Sequence, residues 1–337
     1  MQELVISPYR TDPAWLVTAA SFLIDRVVPD CERIHLPAHD VQGGRLHYGY
    51  GPLPAPAPPK RRFAALRAQA TLRPVEAPHR NTFDLRRNTP TNWAHFLNNH
   101  LPIVFAVCAQ FDIDPQQALL VLPGDTPAYI TGAADLFGLT VLTTDAPVRG
   151  EGVLYAPEPW TSIRPVRHAW VRSPALRQPL ARIDAQTPRA APSRIFLSRR
   201  GTRAPLNDAA LTDRLQTRGF TKVYPEDLSP AEQIALFRRA EAIVAIHGAG
   251  LAPLLYVERD GPLRHLVEIL HAGHMTDVYR VMAQQVGVDW IGVRGRLKPE
   301  YIEGAYDFGK VYKTHSLDNF EVDLTALDTA FEMIGLA

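Results

Sequence analysis

Residues 240–268 read AEAIVAIHGAGLAPLLYVERDGPLRHLVE, and this stretch decides the fold class. An apolar, β-branched run (Ile243, Val244, Ala245, Ile246) stops at His247-Gly248-Ala249-Gly250, and a helical pattern of Leu251, Leu254, Leu255 and Val257 follows at once. A second short strand, 266–270, comes after it. Strand, glycine turn, helix, strand is the repeating unit of a parallel α/β sheet. Its turn falls at the carboxyl ends of the strands, where such sheets take ligands. Glycines let the backbone come close to a ligand, and the N–H groups of a helix start suit an anion. A glycine turn is also common packing chemistry, so His247 fits two roles: a contact to that anion, or a structural histidine capping the strand.

Upstream, residues 194–203 read RIFLSRRGTR, followed by Leu206-Asn207, by Arg218-Gly219-Phe220 with Val223-Tyr224, and by an apolar segment over 228–237. With the HGAG turn and Leu266-Val267-Glu268 behind them, these motifs resemble glycosyltransferase family 61. Its members carry I-x-x-S-R-R, L-N, G-F, H-G-A-G-L and V-V-E in the same order. The resemblance is close over 193–290 and patchy before it. Residues 81–102 (NTFDLRRNTPTNWAHFLNNHLP) are similar to the family's N-Y-Y-H-W-L-x-D-x-L-P. Asn92, Trp93, His95, Phe96 and Leu97 match in kind, and Leu101-Pro102 matches outright. Two departures stand out. The family's acidic residue falls on Asn98 or Asn99, and an amide is no base. Ala252-Pro253 replaces the Thr-Asn that often follows HGAGL, which leaves the contacts to the donor's sugar or base open.

The resemblance implies a GT-B-like α/β fold, two Rossmann-like domains facing a central cleft. The N-terminal domain, 1–186, would take the acceptor side and the C-terminal domain, 187–337, the nucleotide sugar, with the last helix able to pack back on the first domain. It implies an inverting, metal-independent glycosyltransferase. Such an enzyme moves a sugar from a nucleotide-sugar donor, by default a UDP sugar, to a glycan or glycolipid acceptor in bacterial capsule or lipopolysaccharide synthesis. Relatives include EGF-domain O-GlcNAc transferase and plant xylosyltransferases. No cofactor besides the donor is expected, and no metal: arginines with a helix dipole would neutralise the diphosphate.

The candidate donor residues are Ser198, Arg199 and Arg200 after the first strand of the C-terminal domain, and His247, Gly248, Ala249, Gly250 and Leu251 in the turn. Glu268 joins them from the end of the next strand, where a carboxylate can accept from ribose hydroxyls or be held by a fixed partner. His95 takes the family's histidine position and is the candidate general base, an imidazole being suited to that work near neutral pH. Without the resemblance it reads as a core histidine packed by Trp93 and Phe96. Asp84, just upstream, is the alternative base, and His100 is expected to point elsewhere. Asn207 is expected to cap the helix that follows it. Two rival readings stay open: a nucleotide-sugar epimerase of GT-B-like fold, and a non-catalytic sugar-nucleotide-binding subunit, which the Asn98/Asn99 departure keeps alive.

The remaining pattern is α/β. Strands over 119–122, 140–143 and 153–156 with a helix over 128–136 predict a parallel sheet covered by helices. Apolar runs at 4–6 and 15–24 and a strand at 33–37 precede a proline-rich connector, 51–59. Residues 60–73 read as a basic amphipathic helix; Lys60, Arg61, Arg62 and Arg67 could meet anionic lipid or an acidic acceptor, and a solvated face fits as well. Segment 187–192 reads as the interdomain linker, 295–314 as a mobile loop, and 323–336 as a closing helix. At 337 residues and net charge +1, the chain has room for two domains and no field that would draw nucleic acid. Arginine far outnumbers lysine among its 36 basic residues, a bias that suits phosphate recognition. Cys31 and Cys108 show no metal spacing and fit a reduced, cytoplasmic setting. No leader-like segment or bilayer-length apolar run is expected, which leaves peripheral contact with the inner membrane open.

Overall fold

The computed structural model describes residues 2–18, 22–23, 26–27, 32–52, 73–77, 81–86, 89–155, 170–187, 191–296 and 315–336. Most of the proline-rich connector, nearly all of 60–73 and 295–314, and Cys31 lie outside them. The chain forms two compact units, Met1–Pro8 with Gln42–Gln186 and Tyr9–Val41 with Thr187–Ala337.

The second unit is built on seven strands: β1 (Ala14–Thr18), β2 (Glu32–Leu36), β3 (Arg194–Leu197), β4 (Thr221–Val223), β5 (Ala242–Ile246), β6 (His265–Leu270) and β7 (Asp289–Arg294). They lie side by side as β4-β3-β5-β6-β7-β1-β2. Every pairing is parallel except that of β1 with β2. A parallel sheet is covered on both faces, which is why β5 reads as an unbroken apolar run: all five of its residues are buried. Four helices accompany the sheet, α1 (Asp208–Gln216), α2 (Pro230–Arg239), α3 (Val278–Gln285) and α4 (Leu324–Met333). Alternate residues Val244, Ile246, Val267, Ile269, Ile291 and Val293 form one core with Leu211 of α1 and Phe331 of α4. Each such fully buried side chain contributes roughly 1.5–3 kcal/mol.

Two expectations about domain make-up change here. Tyr9–Val41, expected within 1–186, belongs to this second unit. The reason is β1, whose buried Leu16 and Val17 pair in parallel with β7 and so cover an edge that would otherwise expose an apolar strand. The last helix, α4, packs in this unit's core and is capped by Asp323, whose Oδ1 accepts from Ala326 N at 2.9 Å.

In the first unit the parallel part is small. Strands Asn81–Asp84, Ala118–Leu122 and Thr140–Thr143 lie in that order, both pairings parallel. A helical segment over 93–110 and the helix Ala128–Leu136 make the crossovers. The strand expected at 153–156 forms as Glu151–Tyr155, but it pairs antiparallel with Gly44–Pro52, which in turn pairs antiparallel with Gln2–Ile6. It leaves the parallel run because the link 144–150 is too short for the crossover of roughly a dozen residues that a parallel neighbour requires.

Candidate active site

Around β3 the sheet changes direction: the chain goes from β3 out to β4, then back past β3 to β5. The crevice at the carboxyl ends between β3 and β5 is therefore the topological switch point, where sheets of this order take ligands. Arg199 leaves β3 there and His247 leaves β5. The Arg199 guanidinium donates from Nη1 to the His247 carbonyl oxygen at 2.9 Å, and from Nη2 to Thr202 Oγ1 at 3.3 Å. A methyl group at Gly248 would stand 2.0 Å from that Nη1, so glycine leaves room for the guanidinium. At Gly250 it would stand 2.8 Å from Pro225 Cγ. Arg199, Arg200, Ala249, Gly250 and the floor residues Ser198 and Leu251 line a cavity of about 180 Å³. The helix expected after the turn is a 3₁₀-helix, Ala249–Tyr256, because Pro253 inside it has no N–H to extend an α ladder.

Glu268 departs from its expected role. Its side chain is 0% exposed, and both oxygens are taken: Oε1 lies 2.5 Å from His247 Nδ1, and Oε2 accepts from Trp290 Nε1 at 2.7 Å. Ribose hydroxyls have no access to it. The sheet builds this pair, since Glu268 of β6 lies beside Ala245 of β5 and beside Gly292 of β7. The His247 N–H, bonded to Ile269 O at 2.9 Å, carries the ladder one residue past β5. Gly292 matters for Trp290, because a side chain there would meet the indole's Cη2 at 2.5 Å. A buried carboxylate is costly unless hydrogen-bonded, and here the fixed partners are complete. Its chemical effect is to orient the His247 imidazole, whose ring centroid stands 5.1 Å from that of His274 and 5.5 Å from that of Tyr279.

Ser198 is buried, and its Oγ donates to Asp208 Oδ1 at 3.3 Å. Arg200 forks onto Asp227 at 2.6 and 2.8 Å and lies 3.7 Å over the Tyr224 ring, so its charge is largely answered from within the chain. Arg203, not singled out from the sequence, shares the work of Arg199. Its Nη1 also reaches the His247 carbonyl, at 3.4 Å, from a backbone held in the left-handed region (φ 58°). Burial holds the Arg199 guanidinium below its ordinary pKa, and burial with Arg199 alongside pushes Arg203 down to about 10. Asn207 stands at the cap of α1, its carbonyl accepting from Leu211 N at 3.0 Å, but its side chain does not bond that helix. Its Nδ2 donates to Val322 O at 2.7 Å and its Oδ1 accepts from Val322 N at 3.0 Å, clasping the segment before α4 instead.

The two candidate bases lie in the other unit. Asp84 ends the strand Asn81–Asp84, and Arg86 grips both its oxygens, Nε to Oδ1 at 2.9 Å and Nη2 to Oδ2 at 2.7 Å. The same guanidinium donates to Ala146 O at 2.6 Å, so Asp84 anchors a turn and has little lone-pair capacity left for a substrate proton. His95 is exposed, one helical turn after Asn92, whose Oδ1 accepts the His95 N–H at 3.2 Å. Asn99 Nδ2 lies 3.0 Å from His95 Nδ1. Partial burial holds the imidazole's pKa below its ordinary value. After His95 the helix widens to a π stretch, Phe96–His100, where Pro102 supplies no N–H for the α bond. That places buried His100 away from His95. Among the described residues, no His, Cys, Asp and Glu side chains gather as a metal-holding group, and no helix is long and apolar enough to cross a membrane.

A search of curated proteins finds no match. The family model described as Glycosyltransferase 61 matches residues 93–262, half of the chain, running from the helix that carries His95 through the HGAG turn. The ordered motifs, the switch-point crevice they build and this match agree: the chain belongs to glycosyltransferase family 61.

Proposed function

We propose that this chain is an inverting, metal-independent glycosyltransferase of GT-B-like arrangement that takes a nucleotide sugar, by default a UDP sugar, as donor. The observation that carries the reading is the Arg199 guanidinium fixed against the His247 carbonyl at the switch-point crevice, with Arg203 on the same oxygen. Two half-buried guanidiniums that, among the described residues, form no ion pair with a carboxylate suit the charge that develops on a leaving diphosphate, the task a metal would otherwise perform. His95 takes the acceptor's proton: its depressed pKa keeps it neutral at pH 7, and its ring is exposed. The acceptor is a glycan or glycolipid of the cell surface, made on the cytoplasmic side with peripheral contact to the inner membrane, as in bacterial capsule or lipopolysaccharide synthesis.

Incubation with a panel of nucleotide sugars, with and without EDTA, tests this. Donor hydrolysis or transfer with inversion that survives EDTA is the expected result. Isomerisation of the donor without loss of nucleotide would make the protein an epimerase, and binding without turnover a non-catalytic subunit. Activity abolished by EDTA and restored by manganese would overturn the metal-free part.

A further inference from the structure

The cations at the crevice outnumber the groups that answer them. Arg199 and Arg203 share one carbonyl oxygen; of the carboxylates nearby, Glu268 is taken by His247 and Trp290, and Glu226, which also lines the crevice, stands 3.6 Å from Arg200. Among the described residues nothing accepts from the buried Nε of Arg203. A second orphan faces the same place. His274 follows β6 in a turn fixed by His274 N on His271 O at 2.8 Å and by Gly273 N on His271 Nδ1 at 2.9 Å. Its ring lies 5.1 Å from that of His247, centroid to centroid, and its buried Nδ1 has no partner among the described residues. The nearest acid along the chain, Asp277, faces His39 at 3.6 Å. Two unused donors on two loops, around a histidine already orientated, mark a place for an anion. His274 lies beyond the residues the family model matches.

We propose that Arg203 and His274 complete the anion site begun by Arg199 and the glycine turn, and that His274 takes up a proton as a diphosphate enters. This rests on the reading of the crevice as a diphosphate site. The groups around His274 are His247 from the turn after β5, Arg199 and Arg203 from the loop after β3, and His271 from its own turn; burial and these neighbours push its pKa down to about 4. At pH 7 the empty site therefore holds a neutral His274. Two or more negative charges beside it reverse the local potential and favour the imidazolium, the proton coming from solvent and returning to it on release. Because the bound form has the higher pKa, affinity rises as pH falls below 7 and levels off near pH 4.

Isothermal titration of the full chain with inorganic pyrophosphate at pH 6, in two buffers of different ionisation enthalpy, tests the proposal. The probe's own ionisation cancels in the difference between wild type and His274→Gln. Binding by the wild type with proton uptake, and about tenfold weaker binding with that uptake lost in His274→Gln, is the expected result. Uptake that persists unchanged in His274→Gln overturns the role of His274 and leaves the diphosphate reading standing. No binding by the wild type overturns both. Should His274→Gln not fold, imidazole nitrogen shifts of the wild type decide: one further imidazolium signal on adding pyrophosphate supports the proposal, and an unchanged spectrum overturns it.

Discussion

His247 and His95 both follow parallel strands in the chain, one held by a carboxylate that is 0% exposed, the other beside a half-buried amide. A carboxylate only accepts, so Glu268 requires the proton on Nδ1 of His247 and fixes the ring's tautomer and direction. Asn99 can turn either its oxygen or its nitrogen to His95, so that ring can change tautomer without losing its hydrogen bond. The difference separates positioning from proton transfer. His247 belongs to a frame whose backbone carbonyl accepts from two arginines, while His95 stands beside Asn99, the setting that suits a base in the proposed reading.

The sharpest way to break this comparison is to remove His95. His95→Ala is expected to lose roughly 10²- to 10⁴-fold in turnover while donor binding is kept. The base works when neutral, so activity falls as pH drops through its pKa, and the depressed pKa puts that acid limb below pH 6.5. Asn99→Asp, which restores an acid beside the ring, should move the limb upward in a kcat/KM profile. A His95→Ala enzyme of near-normal turnover would hand the role, against the Arg86 fork, to Asp84.

Removing the carboxylate tests the other half. Glu268→Ala leaves the His247 and Trp290 N–H groups buried without an acceptor and should cost about 3 kcal/mol of stability, read from chemical denaturation. Glu268→Gln keeps one acceptor and should cost less. Equal stability of wild type and Glu268→Ala would mean the pair is not what holds the His247 ring.

These two sites were not equally legible in the sequence. The parallel centre of the larger sheet, β3, β5 and β6, was, because strands buried on both faces read as plain apolar runs and β5 ends abruptly at its glycines. The place of the glycine turn was legible too, but its glycines were expected to admit a ligand, and at Gly248 the group that needs the room is the Arg199 guanidinium. The membership of β1 in that sheet was not, because parallel pairing between residues so far apart leaves no local signature. Glu268 was left between two roles for a related reason. A carboxylate at the end of a strand looks the same whether it meets a ribose or an indole, and Trp290 reaches it only because Gly292 is bare. Asn207 shows the same limit: its place before α1 was legible, while its clasp on Val322 depends on a contact made by the end of the chain. Arg203 sat in the quoted motif, but its left-handed backbone, which aims it at the His247 carbonyl, has no mark in the residue type.

Arg199 and Arg200 are neighbours in sequence and opposites in setting, which makes them the most direct test of the donor site. Equilibrium titration of UDP against wild type, Arg199→Ala and Arg200→Ala, each checked for folding by near-ultraviolet circular dichroism, measures it. Arg199→Ala should bind roughly 10- to 150-fold more weakly, the loss of a charge-assisted hydrogen bond to phosphate. Arg200, forked onto Asp227 at the surface, should matter by less than about fivefold. A folded Arg199→Ala protein that binds UDP as well as the wild type does would contradict the assignment of this crevice to the donor.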